Sequence, residues 1–156
     1  MVNNILLNKW FFTFIVGWIV FFFLVDWKAI YKNFWGGIIS CILELWQDSL
    51  AYTMGMYFFQ EEGLTILNVS AFFTFGITVT MGILYIQFTP ENPMLQILHL
   101  LAFTVGFVIF EYLVKYAGIL ITPYWNLAAS FFNNTIIFGG LLWLNDFLKC
   151  RTEGHR

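Results

Sequence analysis

The chain has 156 residues, of which 60% are hydrophobic and 22% aromatic, against 10% charged and a formal net charge of −2. Soluble domains carry about 25% charged residues, and one of this size could not bury so much apolar side chain without exposing patches larger than soluble monomers carry. The composition excludes a soluble enzyme, a nucleic-acid-binding module and a disordered tail, and it reads as an integral membrane protein.

A helical span of the hydrocarbon core needs about 20 residues, so this length accommodates five or at most six spans with short loops and is expected to leave no extramembrane domain. The first apolar stretch covers residues 10–25 and ends at Asp26-Trp27-Lys28. It follows a short polar start like a signal peptide, but it lacks a basic leader and an Ala-x-Ala-like cleavage site, so it is expected to be retained. The second stretch, 34–59, is interrupted by Glu44, Gln47 and Asp48 and closes at Glu61-Glu62-Gly63. The third, 64–88, carries no charge and repeats Ser70, Thr74, Thr78 and Gly82 at intervals of four, a small-residue packing stripe. Thr89-Pro90-Glu91-Asn92-Pro93 marks a turn, because proline fixes its own φ and restricts the residue before it. The fourth stretch, 94–116, contains His99 and Glu111. Gly118 and Pro123 break the chain before the fifth, 125–148.

These apolar runs are continuous, whereas barrel strands alternate over about ten residues. The predicted fold is therefore an all-α bundle of about five transmembrane helices in a single domain spanning residues 1–156. An outside N-terminus and inside C-terminus place Lys28, Lys32, Lys149, Arg151 and Arg156 on the inner side and only Lys9 and Lys115 on the outer side, as the positive-inside rule favours. The Glu61-Glu62 turn is then external. Trp10, Trp27, Trp35, Tyr124 and Trp125 fit the interfacial aromatic belts.

Acids inside the membrane are costly, at least about 2.5 kcal/mol each on insertion scales, and so point to function. Glu44 and Asp48 stand four residues apart and share a helix face. Two carboxylates this close in a poorly hydrated site do not both ionise freely; one holds a proton, or a cation bridges them. The alternatives are acids that hydrogen-bond to neighbouring helices or reach water where the span breaks. Glu111 lies a turn inside the fourth stretch, either facing the bundle interior or pairing with Lys115 four residues on. Asn126, Ser130, Asn133 and Asn134 form a polar stripe on the fifth stretch, suited to interhelical hydrogen bonds or to a ligand. Glu44, Asp48, Glu111, Asn126 and Ser130 are the ligand-binding candidates.

His99 is too far along the helix from Glu111 to share a metal with it and reads as a packing residue. Cys41 and Cys150 form neither a CxxC nor a metal spacing. No metal, cofactor or catalytic motif is expected. The expected partners are membrane lipids, a small-molecule or lipid ligand, and further copies of the chain or a membrane complex; nucleic acid is not among them.

Several of these features together resemble a known family. Trp27-Lys28 near the end of the first span, Asp48 in the second, Glu111 in the penultimate span, Gly118 after it, and Tyr124-Trp125-Asn126 leading to Ser130 carry the likeness, over roughly residues 20–145. The chain resembles the small multi-spanning membrane proteins of Bacillus, Clostridium and other spore-forming Firmicutes, a family with no assigned reaction. It departs from them at the end of the third span, where the proline-containing end is replaced by Thr89-Pro90-Glu91. The resemblance implies a four- or five-helix bundle in a bacterial cytoplasmic membrane, and it groups Glu111 with Asn126 in one polar cluster. A fainter likeness to the lycopene-cyclase-type membrane domain rests on Glu61-Glu62 preceded by Tyr52 and Tyr57, although the order and proline context differ.

These readings leave three expectations. The first is a polytopic membrane protein that binds or senses a small ligand, ion or lipid through buried acids. The others are an intramembrane enzyme on a prenyl or acyl lipid with Glu44, Asp48 or Glu111 as proton donor, and a small proton- or cation-coupled transporter. Convergence of the acids on one cavity would favour a site over separate helix contacts.

Overall fold

A computed structural model describes residues 8–60 and 63–153. Glu61, Glu62 and Arg156, on which part of the orientation argument rests, lie outside the described residues, as do the side chains of Cys150 and Arg151. The chain is mostly helical, at 74%. Its helices are α1 (Lys9–Leu24), α2 (Ile30–Thr53), α3 (Ala71–Gln87), α4 (Pro93–Tyr116) and α5 (Leu127–Glu153). Two of them are long and apolar enough to cross a membrane: α4, and α5 over Leu127–Lys149. The apolar α1 and α3 are shorter. The 24-residue α2 is long but carries Lys32, Glu44 and Asp48.

The helix starts follow from local chemistry. Asn8 accepts hydrogen bonds from the amides of Trp10 (2.8 Å) and Phe11 (3.2 Å), capping α1. Asn92 accepts from Met94 N at 2.9 Å ahead of Pro93, whose missing N–H costs nothing at the first helical position. Two helix ends share one device. Gly55 and Gly118 follow α2 and α4 with φ of +70° and +73°. In each, the glycine N–H bonds back to the carbonyl three residues earlier, and the next N–H to the carbonyl five residues earlier: Gly55 to Tyr52 and Met56 to Ala51, then Gly118 to Lys115 and Ile119 to Val114. This pattern reverses the chain while pairing the last carbonyls.

The strands that follow these reversals, β1 (Phe58–Phe59) and β4 (Leu120–Ile121), pair antiparallel, with Phe58 opposite Ile121 and Phe59 opposite Leu120. Bonds from Gln60 N to Ile119 O (2.8 Å) and from Tyr124 N to Met56 O (3.2 Å) extend the ribbon at both ends.

The apolar stretch expected to be helical over 64–88 begins differently. Residues 65–70 form a hairpin of β2 (Thr65–Ile66) and β3 (Val69–Ser70), and α3 starts only at Ala71. The reversal lies at Leu67 and Asn68, with φ of +52° and +66°. Positive φ at both central residues matches the twist of a two-residue hairpin, and Asn tolerates it better than most residues. The second stretch is likewise helical only as far as Thr53, since Gly55 turns the chain into β1.

Large apolar side chains lie both in the core and on the outer surface. α3 lies at the centre, with Thr74, Thr78, Ile83 and Tyr85 essentially sealed, as expected for a helix apolar all round. It contains a π-helical turn at Thr74–Thr78. Its contact with α2 is very close. A Cβ built on Gly82 would stand 2.3 Å from Ser40 Oγ and 2.6 Å from the Gly36 carbonyl, and one on Gly37 would meet the Val79 carbonyl at 2.8 Å. Side chains such as Phe12, Phe23, Trp46, Ile136 and Trp143 are more than half exposed on the outer surface, whereas Glu44 and Asp48 are buried.

Candidate functional site

At one end of the bundle α2 and α4 terminate and α1, α3 and α5 begin. A cavity of about 40 Å³ lies there, room for a few waters or a small polar group. Its lining includes Glu44, Asp48, Glu111, Ser130, Tyr57 and Asn134. Helical spacing places Glu44 and Asp48 one turn apart on the inward face of α2, at 6% and 4% exposure.

The ribbon positions the next group. Because the glycine reversal at Gly55 folds the chain back over the end of α2, Tyr57 is carried above Asp48, and its hydroxyl donates to Asp48 Oδ1. Burial pushes the Tyr57 hydroxyl well above the ordinary tyrosine range, so it remains a donor. The other oxygen, Asp48 Oδ2, is buried with no hydrogen-bond partner. Trp125 packs edge-on against Tyr57, ring centres 5.5 Å apart, and Phe59 and Leu120 of the ribbon complete this side of the lining.

On the opposite wall the acid of α4 is held by α5. Trp125 Nε1 donates to Ser130 Oγ at 2.7 Å, and Ser130 Oγ donates to Glu111 Oε1 at 2.5 Å. The hydroxyl serves as acceptor and donor in turn, so the indole, hydroxyl and carboxylate form a directed chain whose members polarise one another. Asn133 Nδ2 donates to Gln47 Oε1 at 2.7 Å and ties α5 to α2 beside the acids. Ser130, not Lys115, bonds the Glu111 carboxylate. Trp10 Nε1 donates to the Gln60 carbonyl at 2.7 Å, which holds the start of α1 against the ribbon.

The structure thus brings four of the five candidates, Glu44, Asp48, Glu111 and Ser130, to one cavity. Asn126 is separate. It is exposed at the start of α5, where its Oδ1 accepts from Ala129 N at 2.9 Å, a helix-capping bond. Its side chain is committed to the helix end, and the polar cluster implied by the resemblance is completed by Trp125 and Ser130 instead. Sequence reasoning misses Tyr57 as a site group; it assigns Trp10 to an aromatic belt and Trp125 to a belt and to the family likeness, but neither to the site. The signal for Tyr57 was present in Gly55, a turn residue that returns the chain over the end of α2. His99 lies elsewhere, stacked on Tyr85 with ring centres 4.7 Å apart, its Nε2 donating to the Tyr85 carbonyl at 3.0 Å.

No Lys, Arg or His lines the cavity, and among the described residues no cluster of three His, Cys, Asp or Glu could hold a metal ion. Three carboxylates therefore line this small cavity with two hydroxyl donors, and Lys115, outside the lining, is near enough to act on the charge of Glu111 alone. An isolated ionised carboxylate is very costly in such surroundings. The arrangement is chemically complete only when protons or a bound cation supply the missing positive charge. Comparison with family models, with curated proteins and with solved structures finds no match for this chain.

Proposed function

We propose that the protein is a five-span membrane protein that binds a small monocationic ligand through Glu44, Asp48 and Glu111. The observation that carries this reading is Asp48 Oδ2, a buried acceptor without a partner, on a cavity that three carboxylates line and no basic side chain enters. The inverted surface supports the membrane part, since bulky apolar side chains on α1, α2, α4 and α5 face outward while the acids face inward. In lipid, α1 and α3 are short for a full span, and interfacial residues or local thinning accommodate the mismatch. The N-terminus is placed outside and the C-terminus inside, in a bacterial cytoplasmic membrane, in keeping with the resemblance to the multi-spanning proteins of spore-forming Firmicutes. The ribbon over one side of the cavity and the aromatic wall of Phe73, Phe107 and Phe110 on another favour a binding pocket over a through-path.

Binding is tested on the purified full chain in maltoside micelles with ethylammonium as probe. A ligand that binds only the folded form raises the unfolding midpoint. The expected result is a saturable rise in the native protein that is lost in Asp48→Asn and Glu111→Gln and retained in Asn126→Ala. A response equal in the native protein and Asp48→Asn would reject the assignment.

A further inference from the structure

The acid cavity is walled by rings as well as by carboxylates. Trp125, Tyr57, Phe59, Trp10, Phe73 and Phe110 line it, and each packs on the next, with ring centres 5.5, 5.9, 5.4, 5.6 and 6.2 Å apart in that order. Phe107 continues the belt at 5.9 Å from Phe110. The rings run from the segment before α5, across the β1–β4 ribbon, to α1, α3 and α4. Their polar handles are already used. Trp125 Nε1 donates to Ser130 Oγ, Trp10 Nε1 to the Gln60 carbonyl, and the Tyr57 hydroxyl to Asp48. What the belt offers a ligand is carbon, and the same bonds fix it in place before anything binds.

The cavity also bounds the ligand's size. Its volume of about 40 Å³ takes only a few heavy atoms. A second cavity, apolar and about 330 Å³, lies between α1, α3 and α4, but Phe107 and Phe110 stand in the wall of both and divide them. The acid site therefore has no room for a tail. Within it the two kinds of wall make different demands. Asp48 Oδ2 is a buried acceptor without a partner, and a single N–H satisfies it. A primary ammonium carries three N–H donors. The carboxylates come from α2 and α4, whereas α1, α3 and the ribbon present ring carbon. An N–H turned toward that carbon loses the water that had satisfied it. An N-methyl group gains by leaving water, and positive charge spread over methyl groups is attracted by aromatic faces.

We infer that the ligand is a small methylated amine, bound as its ammonium ion, with one N–H on Asp48 Oδ2 and its methyl groups against the ring belt. This rests on the proposed cation-binding reading and names the ligand class of that site. The full chain in maltoside micelles is titrated with trimethylammonium, ethylammonium and tetramethylammonium chlorides at constant ionic strength, and the unfolding midpoint is followed. Trimethylammonium is expected to stabilise at about tenfold lower concentration than ethylammonium. Tetramethylammonium, which has no N–H, is expected to be the weakest of the three. Phe73→Leu keeps the wall apolar but removes a ring from the belt, and there the preference for trimethylammonium over ethylammonium should fall to about threefold or less. If Phe73→Leu does not fold, Phe110→Leu, at a half-buried position, takes its place. Asn126→Ala, outside the cavity, keeps the full preference. Equal potency of trimethylammonium and ethylammonium overturns the inference and leaves the cation site standing, and so does a preference unchanged in the ring variants. Tetramethylammonium matching trimethylammonium overturns the N–H contact with Asp48 and the ligand class with it. No response to any of the three ions removes the cation site itself.

Discussion

The two halves of α2 make opposite kinds of contact from one continuous stripe. Gly36, Ser40, Glu44 and Asp48 recur every four residues and so lie on the same face. At the Gly36 end the stripe is nearly without side chain, and α3 approaches until backbone atoms of one helix touch small side chains of the other. At the Asp48 end the stripe is acidic, α3 has only just begun, and a cavity opens toward α4 and α5. The first contact gains its energy from dispersion between closely approaching surfaces. The second sacrifices packing to keep charge and hydrogen-bonding capacity inside the bundle. Rigidity at one end of a helix thus supports a costly site at the other.

This contrast can be broken most sharply at the close contact. Gly82→Ala places a methyl where Ser40 Oγ and the Gly36 carbonyl stand, and overpacking there should cost about 3 kcal/mol of stability, read by chemical unfolding in micelles. At the cavity the expected effect is smaller. Tyr57→Phe leaves both oxygens of Asp48 without protein partners and should cost about 2 kcal/mol in the same assay. The double variant Gly82→Ala, Tyr57→Phe sharpens the comparison. The two sites share no partner, so their costs should add to within about 0.5 kcal/mol. Strong non-additivity would mean that seam and cavity move together. Asn126→Ala removes only a cap, costing about 1 kcal/mol while leaving cation binding intact. The smallest effect is expected at the hairpin. Leu67→Gly relieves a left-handed leucine and should raise stability slightly, by about 0.5 kcal/mol in the same unfolding assay.

Much of this arrangement was legible in the sequence, and the reasons differ by region. The acids of α2 were read correctly as sharing a face because helical spacing alone decides it. The polar stripe on the last helix led to Ser130 for the same reason. The helical reading of residues 64–70 fails because an apolar run without glycine or proline looks helical, and Asn68 is a single weak sign of the reversal at Leu67 and Asn68. Glu111 was ambiguous between Lys115 and the interior, since spacing permits the local pair and only tertiary packing brings Ser130 within 2.5 Å. Asn126 was taken for a ligand group because its position before a helix was less visible than its neighbours' polarity. The second cavity could not have been read at all, because it is defined by atoms that three separate helices leave out.

The ribbon has a consequence for how the chain is made. Its two strands come from residues 58–59 and 120–121, one before and one after the central and fourth helices. During synthesis the second helix emerges with its carboxylates long before the segment that completes their cover exists. Until the strand after the fourth helix has been made, Tyr57 has no strand to lie against, and the acids of α2 lack the cover that the ribbon supplies. Completion of the cover over the acid-bearing helix is thereby tied to the arrival of sequence well downstream, and a chain truncated before Leu120 should leave that segment accessible to aqueous reagents.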